Sequence, residues 1–392
     1  MPLPLYLLAV AVFAMGTSEF MLAGLLPDIA ADLGVTVGTA GALTSAYAVG
    51  MIVGAPAVAA FARRWPARSA LVVSVLVFLA AHVVGAATTS FPLLLATRVA
   101  AALANAGFLA IALTTAAAMV PADRKGRALA VLLSGTTTAT IAGVPAGSLL
   151  GSLLGWRATF WAVAALCLPA ALGILRGVPA RGPQEGERER PALRAEFAQL
   201  ARPRLILVMT LGALVNAATF GSFTFLAPVV TDTAGLDELW VPFALVVFGA
   251  GSLLGVNVAG RLSDRLPGLV LAAGGPPLLI GWPALALLAE VPLALFALLF
   301  VQGALSFAVG STLIARVLHE AAGAPTMAGS YATAALNVGA AAGPLIAAAT
   351  LRGQGGGLGP LWAGGALVGV ALLVLLLFRD AFAVGRERVA GR

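Results

Sequence analysis

Two charged residues, Glu19 and Arg98, lie in stretches of sequence that are otherwise almost uncharged. A charged side chain at the centre of a bilayer costs about 2.5–3.5 kcal/mol on insertion scales, so such groups usually face an interior cavity and carry function. We therefore predict that Glu19 binds and releases protons and that Arg98 biases its charge. The simpler interpretation, a structural pair or an arginine that reaches the membrane surface, stays open.

Amides, hydroxyls and aromatic rings recur at helical spacing near these charges and later in the chain. Asn105 follows Arg98 by seven residues, so the two share a helix face. Such groups could bind a neutral polar ligand, or they could hold neighbouring helices together. The later candidates fall into three sets, which are Asn216, Thr219 and Phe223; Ser330, Thr333 and Asn337; and Gln302 with Ser306.

Small residues and a charged turn suggest conformational motifs. Glycines spaced by four residues give a helix a smooth face that a neighbour can approach closely, and a proline permits a local bend. An Asp and an Arg after a span can latch helix ends together, although a surface ion pair contributes only about 0–1 kcal/mol. The residues concerned are Gly143, Pro145, Gly147 and Gly151, and then Gly260, Asp264 and Arg265.

Composition identifies the elements that must position these residues as membrane helices. The 392 residues are 60% hydrophobic and 10% charged, with a mean hydropathy of +1.02, whereas soluble domains are roughly 25% charged. About 20 apolar residues cross a bilayer. Apolar runs predict twelve spans, at 3–26, 39–61, 70–87, 92–113, 128–154, 158–175, 205–227, 240–259, 269–289, 292–314, 327–350 and 361–378.

The basic residues predict the orientation of these spans. Twenty of the 23 Lys and Arg residues fall in loops on one side, and the other side holds Arg157 and Arg352. By the positive-inside rule, the basic side and both termini are cytoplasmic. The high isoelectric point is therefore a signal of topology, and we do not expect nucleic-acid binding. The loops on the opposite side carry acidic residues, among them Asp28, Asp32 and Glu238.

The sequence divides into two similar halves. Leu26-Pro27 is echoed by Ala227-Pro228, and Gly143 corresponds to Gly343. We predict an N-terminal six-helix bundle at 1–176, a cytoplasmic linker at 177–204, a C-terminal six-helix bundle at 205–378 and a cytoplasmic tail at 379–392. Transporters built from repeated halves bind substrate near the midplane and rock one half against the other.

Several classes of protein are excluded or disfavoured. The only lysine, Lys125, is followed by Gly126 and Arg127, so there is no phosphate-binding P-loop. Two histidines and one cysteine leave no zinc cluster and no Cys-His nucleophile. We expect no metal and no cofactor, and no arrangement of an intramembrane enzyme is visible.

With these residues in place, the sequence resembles the major facilitator superfamily, specifically its twelve-span drug:proton antiporters. Gly260 to Arg265 resembles the loop signature after the second span of a half, Arg98 with Gly107 the fourth-span motif, and Gly143 to Gly147 the antiporter motif of the fifth span. The stretches 13–28, 155–160 and 330–337 are similar to the chloramphenicol-resistance exporters of actinobacteria.

The resemblance implies an all-α membrane protein with two six-helix bundles related by pseudo-two-fold symmetry. It further implies a multi-pass exporter of the bacterial cytoplasmic membrane, acting as a monomer, that moves chloramphenicol or a related amphiphilic antibiotic outward as protons enter. It assigns coupling of proton and drug to Glu19 and proton coupling to Arg98. One departure matters, because Arg63-Arg64 stands where the family has Asp-Arg in the first-half loop.

Two alternatives remain open from the sequence. The same fold could export a sugar, a nucleoside or another metabolite. A membrane-bound sensor or assembly subunit without transport is a second alternative, although Glu19 and Arg98 inside the membrane and the near absence of soluble domains argue against it.

Overall fold

The computed structural model describes residues 2–61, 66–121, 125–178, 196, 198–262, 267–324, 327–351 and 356–378. Over these residues the chain is helical and contains no strand. Twelve helices are long and apolar enough to cross a membrane. The all-α, twelve-span fold class predicted from the sequence is confirmed.

The first six spanning helices belong to the N-terminal half. Two short helices, Leu26–Leu33 and Val37–Ala40, connect the first span to the second. The fifth span contains a π-helical turn, Ala139–Gly143, between two α-helical parts. The spans are α1 (Leu3–Phe20, continued as a 3₁₀ turn Met21–Gly24), α2 (Ala42–Phe61), α3 (Ala67–Ala87), α4 (Phe91–Ala118), α5 (Lys125–Thr138 and Val144–Leu154) and α6 (Trp156–Gly177).

The C-terminal half repeats this order of elements. A bent segment, Leu226–Pro228 followed by the π-helical turn Val229–Thr233, leads from its first span to its second. The spans are α7 (Pro203–Thr224), α8 (Trp240–Leu262), α9 (Pro267–Leu288), α10 (Pro292–Glu320), α11 (Ala328–Thr350) and α12 (Gly359–Leu377). Most of the predicted linker, the whole predicted tail, Arg63-Arg64, Asp264 and Arg265 lie outside the described residues.

Each half has its own apolar core, and the halves interlock where those cores meet. Phe225 and Ala347 of the second half pack into the core of the first half. Ala23 and Val144 of the first half pack in return into the core of the second. Burial of apolar surface is not the driving force between helices in lipid, so close packing of small side chains must hold the halves together.

The contacts between the halves lie near one end of the bundle, which we call the acidic end because Asp28, Asp32 and Glu238 lie there. A Cβ atom on Gly38, next to that end, would stand 3.5 Å from the Cβ of Ala348. Deeper in the bundle, α2 meets α11 where Ala48 packs with Ala340 and Ala341. A Cβ on Gly249 of α8 would lie 3.0 Å from the carbonyl of Thr140 in α5. The structure is therefore closed at the acidic end.

The predicted glycine face of α5 packs against α1, the helix that carries Glu19. A Cβ atom on Gly143 would overlap the hydroxyl of Thr17, and one on Gly151 would overlap Leu25. Pro145 follows the π-helical turn inside the continuous span, where its missing N–H permits a local bend. Gly147 lies between α6 and α1, because its Cβ would lie 3.1 Å from Thr159 and 3.7 Å from Met21.

We predict that Gly143→Ala destabilises the protein by about 1–3 kcal/mol, because overpacking a close helix contact costs that much. Melting of the purified protein in detergent measures the effect. Gly310→Ala is the matched control, since a Cβ there has open space within 4 Å and alanine favours helix over glycine by roughly 0.5–1 kcal/mol. Equal melting temperatures for the two variants would contradict the assigned α1–α5 contact.

Candidate functional site

Glu19 lies one residue before the end of the α-helical part of α1. Its side chain is partly accessible. The guanidinium of Arg98 and the amide of Asn105 both act on its carboxylate electrostatically. The structure therefore brings together the three residues that the sequence placed on α1 and α4.

Arg98 is almost completely buried, with 1% of its surface exposed. Its Nη1 donates to the hydroxyl of Ser18 at 2.8 Å, and its Nη2 donates to the main-chain carbonyl of Ser18 at 2.7 Å. The guanidinium also lies over the ring of Tyr47, 4.4 Å from the centroid. Nε has no hydrogen-bond partner among the described residues. Arg98 is thus held by α1 and α2 and does not extend to the membrane surface.

A second layer of polar residues supports this arrangement, and sequence reasoning did not single it out. Asn105 donates from Nδ2 to the hydroxyl of Tyr47 at 2.9 Å. His82 of α3 is 1% exposed and contacts the hydroxyl of Ser18 at 2.7 Å. An ionisable residue inside an apolar span is a functional signal in itself, and that signal could have identified His82.

In the C-terminal half, the candidates on α7 make mainly helix contacts. Asn216 donates from Nδ2 to the carbonyl of Leu336 in α11 at 2.7 Å. Thr219 donates to the carbonyl of Val215 in its own helix at 2.9 Å. Phe223 stacks on Phe248 of α8 with 4.9 Å between ring centroids. Asn216 and Phe223 remain partly accessible, so contact with a ligand is compatible with their positions.

The candidates on α10 and α11 differ in accessibility. Gln302 is fully buried and donates to the carbonyl of Leu278 in α9 at 3.2 Å, which is an interhelical contact. Ser306 is also buried. Asn337 donates to the carbonyl of Thr333 in its own helix at 2.9 Å. Ser330 and Thr333 are partly accessible.

An aromatic contact joins the two halves beside Glu19. Phe20, the next residue along α1, packs against Phe220 of α7 with ring centroids 5.6 Å apart. Aromatic pairs at such separations contribute about 0.5–1.5 kcal/mol beyond area burial. Both rings are partly accessible. The segment of α1 that carries Glu19 therefore reaches the boundary between the halves.

The surface of the acidic end has a hollow of about 460 Å³, which is lined by the first half and, from the second half, by Glu238. Asp32 accepts hydrogen bonds from Arg157 at 2.5 Å and from the indole of Trp156 at 3.3 Å. Arg157 also donates to the carbonyl of Thr88 at 3.1 Å, which ties α6 to the α3–α4 loop. Asp28 lies across from Glu238 of the second half. Partial burial, and then the charge of Glu238, raise the pKa of Asp28 above its usual value.

We predict that Asp28→Asn raises the melting temperature slightly at neutral pH. A raised pKa means that the folded protein favours protonated Asp28. The ionised side chain therefore opposes folding once the pH rises above the ordinary pKa of an aspartate. The effect should stay below about 1 kcal/mol because the carboxyl group is only partly buried. Melting curves from pH 8 to pH 4.5 should converge for variant and wild type as the pH falls, and a constant offset would contradict this account.

No group of three or more His, Cys, Asp or Glu side chains that could hold a metal ion occurs in the described part of the chain. The only cysteine, Cys167, is buried and directs its thiol to the carbonyl of Val163 at 3.3 Å. The chemistry available to the site is thus protonation at Glu19, charge from Arg98, and hydrogen bonding with aromatic contact.

Comparison with known sequences gives one family. The sequence pattern of the Major Facilitator Superfamily matches residues 8–282. The chain is 74% identical over 392 residues to a chloramphenicol resistance protein of Streptomyces lividans, covering the full length of both proteins. It is 32% identical over 375 residues to the inner membrane transport protein YdhP of Escherichia coli (strain K12), covering 95% of each.

Solved structures support the same fold. A bacterial homologue of the human lysosomal transporter Spinster, in an inward-facing and occupied conformation, superposes with a TM-score of 0.76 at 18% identity and covers 96% of each chain. The nucleoside transporter NupG superposes with a TM-score of 0.75 at 14% identity, covering 97% of this chain and 100% of that chain. At these identities the likeness concerns the fold alone.

Proposed function

The chain belongs to the major facilitator superfamily, and from this premise we propose that it exports chloramphenicol, or a related neutral amphiphilic antibiotic, in exchange for protons. The observation that carries the proposal is the placement of Glu19, which is partly accessible, lies on the α1 segment that reaches the boundary between the halves and is acted on by the buried cation of Arg98. The full-length relative at 74% identity supports the choice of drug.

The proposed cycle uses Glu19 as the proton carrier. Protonation from outside removes the charge of the carboxyl group, which lowers the desolvation cost of enclosing that group. When the acidic end closes, the site opens to the cytoplasm. There Glu19 releases its proton and the drug enters. The structure is closed at the acidic end, which corresponds in this cycle to the state that is open to the cytoplasm.

The drug binds, in this proposal, between Glu19 with Asn105 and the accessible faces of α7 and α11. Chloramphenicol carries an aromatic ring, hydroxyls and an amide, which suit the rings of Phe20 and Phe223 and the amide of Asn216. Ligand sites of this kind combine apolar walls with a few placed polar groups. The buried contact of Gln302 with α9 favours a supporting role for that residue.

Labelled chloramphenicol counterflow in proteoliposomes tests the substrate. Unlabelled phenicols should compete, whereas sugars and nucleosides should not. Competition by a sugar or a nucleoside alone would move the assignment to a metabolite exporter. Absence of counterflow from a correctly inserted protein would instead favour a sensor or an assembly subunit.

We also propose that the acidic end faces outward, with both termini in the cytoplasm, and that the monomer is the transport unit because one chain holds both halves. Replacing Cys167, the only cysteine, by serine gives a cysteine-free background. An introduced Glu290→Cys should then react with a membrane-impermeant maleimide in intact cells, and His319→Cys should react only in lysed cells. The reverse pattern would invert the topology.

A further inference from the structure

His82 is a buried imidazole that neither the proposed cycle nor the family comparison uses. It lies in α3 at 1% exposure, among residues that are otherwise apolar, and faces α1 and α6. Its ring contacts the rings of Phe78 and Phe160, with centroids at 4.2 and 5.6 Å. An ionisable side chain inside a membrane span is rare and usually has a specific partner.

Both ring nitrogens of His82 have such partners. Nδ1 lies 2.8 Å from the main-chain carbonyl of Phe78, and Nε2 lies 2.7 Å from the hydroxyl of Ser18. A carbonyl only accepts hydrogen bonds, so Nδ1 must carry the proton. A neutral imidazole with its proton on Nδ1 has an acceptor at Nε2, and the hydroxyl of Ser18 therefore donates to it.

The orientation of the Ser18 hydroxyl then determines whether Nη1 of Arg98 meets a hydrogen-bond acceptor at Ser18. With its proton directed to His82, the Ser18 oxygen presents its lone pairs to Nη1 of Arg98, which donates to it at 2.8 Å. The neighbouring Nη2 uses the carbonyl of Ser18 at 2.7 Å. That carbonyl lies in the last α-helical turn of α1, where main-chain oxygens need partners outside the helix.

These bonds form one directed chain from α4 through α1 to α3. It runs from Arg98 to Ser18, from Ser18 to His82, and from His82 to the carbonyl of Phe78. Each bond along this path joins one donor to one acceptor, although Nε of Arg98 has no partner among the described residues. The three side chains are each at most 1% exposed. Satisfied buried networks of this kind fix one geometry, whereas partly satisfied ones are costly.

We propose that His82 is a positioning residue, which acts through the hydroxyl of Ser18 to hold the guanidinium of Arg98 at its place beside Glu19. The proposal rests on the proposed function, in which Arg98 biases the charge of Glu19. His82 does not exchange the transported proton in this account. It sets the direction of a hydroxyl, and the hydroxyl sets the position of the cation.

A spectroscopic test follows from the presence of only two histidines. The His319→Gln variant removes the exposed one and leaves His82 as the only imidazole for ¹⁵N NMR in detergent or nanodiscs. We expect a neutral ring, protonated on Nδ1, with the Nε2 resonance of a hydrogen-bond acceptor. Ser18→Ala in this background should shift the Nε2 resonance and leave Nδ1 nearly unchanged. Protonated Nε2, or no response to Ser18→Ala, would overturn the proposal.

Transport assays distinguish a positioning role of His82 from a role in packing alone. His82→Phe keeps a ring between Phe78 and Phe160 but removes the acceptor, and we expect gradient-driven uptake of labelled chloramphenicol to fall about tenfold, within the ~5–150-fold range of coupling effects. His82→Gln retains an acceptor and should recover much of the loss. Combining His82→Phe with Ser18→Ala should cost little more than Ser18→Ala alone, because His82 acts through the Ser18 hydroxyl.

The outcomes distinguish failure of the proposed function from failure of the positioning role of His82. If wild type and His319→Gln show no gradient-driven uptake, the proposed function fails, and the role of His82 in coupling fails with it, while the spectra still decide the bonding. If wild type transports and His82→Phe transports equally well with a normal melting curve, the positioning role is wrong and His82 serves packing only.

Discussion

Glu19→Gln should abolish chloramphenicol resistance and proton-driven drug accumulation in inverted vesicles while leaving the protein folded. The substitution keeps the size and the polarity of the side chain, but it removes the group that binds and releases a proton. Without a titrating carboxyl group the gradient cannot bias the cycle, so we expect uptake to fall to the level seen when the gradient is collapsed. Resistance assays and vesicle uptake measure this directly.

Glu290→Gln is the matched control for this variant. Glu290 is an exposed acid in the connection between α9 and α10, so its neutralisation should change neither resistance nor uptake. Melting curves for both variants establish that loss of transport is not loss of fold. Wild-type resistance in Glu19→Gln would move the coupling site to another residue.

Arg98→Lys should reduce coupled transport by about tenfold or more, within the usual 5–150-fold range of coupling effects. Lysine keeps the positive charge, but it cannot reproduce the planar fork that reaches the Ser18 hydroxyl and carbonyl together, nor the stacking on Tyr47. Arg98→Ala should be more damaging still, because it leaves buried acceptors without a partner, at roughly 1–3 kcal/mol each.

The control for Arg98→Lys is Arg176→Lys, at an exposed position near the end of α6, where the change should leave transport intact. The ratio of proton-driven uptake to drug counterflow gives the decisive readout, because a merely destabilised protein loses both equally. Unchanged coupling in Arg98→Lys would make the guanidinium geometry irrelevant, and unchanged coupling in Arg98→Ala would make Arg98 a structural residue.

The fold was predictable from the sequence because the bilayer imposes it. Long apolar runs must form helices whose backbone groups are satisfied internally, and the described residues contain twelve such helices. The irregular turns within and after the spans were less predictable from the sequence. Sequence periodicity does not reveal the π-helical turn before Val144 or the 3₁₀ turn after Phe20, because both arise from packing against other helices.

The centre of the candidate site was also predictable, because charges inside apolar spans are few. Glu19 and Arg98 stand out on that ground, and helical spacing adds Asn105. The residues that hold Arg98 in place were not predictable from spacing. Ser18, Tyr47 and His82 come from three different helices, and only the tertiary arrangement shows that they surround Arg98.

The roles of the C-terminal candidates depend on accessibility, which spacing cannot supply. Gln302 and Asn216 are both amides in apolar helices, yet Gln302 is fully buried against α9, whereas Asn216 stays partly accessible while binding α11. Polar groups in membranes serve as ligands or as contacts between helices. The geometry favours the second role for Gln302 and leaves Asn216 available for a ligand.

Uptake of labelled chloramphenicol into inverted vesicles under an imposed inside-acid pH gradient tests the central claim most directly. The account predicts uptake in vesicles with the wild-type protein, its loss when the gradient is collapsed, and its loss in Glu19→Gln. Gradient-driven uptake that survives in Glu19→Gln, or wild-type uptake that is indifferent to the gradient, would contradict proton coupling through Glu19.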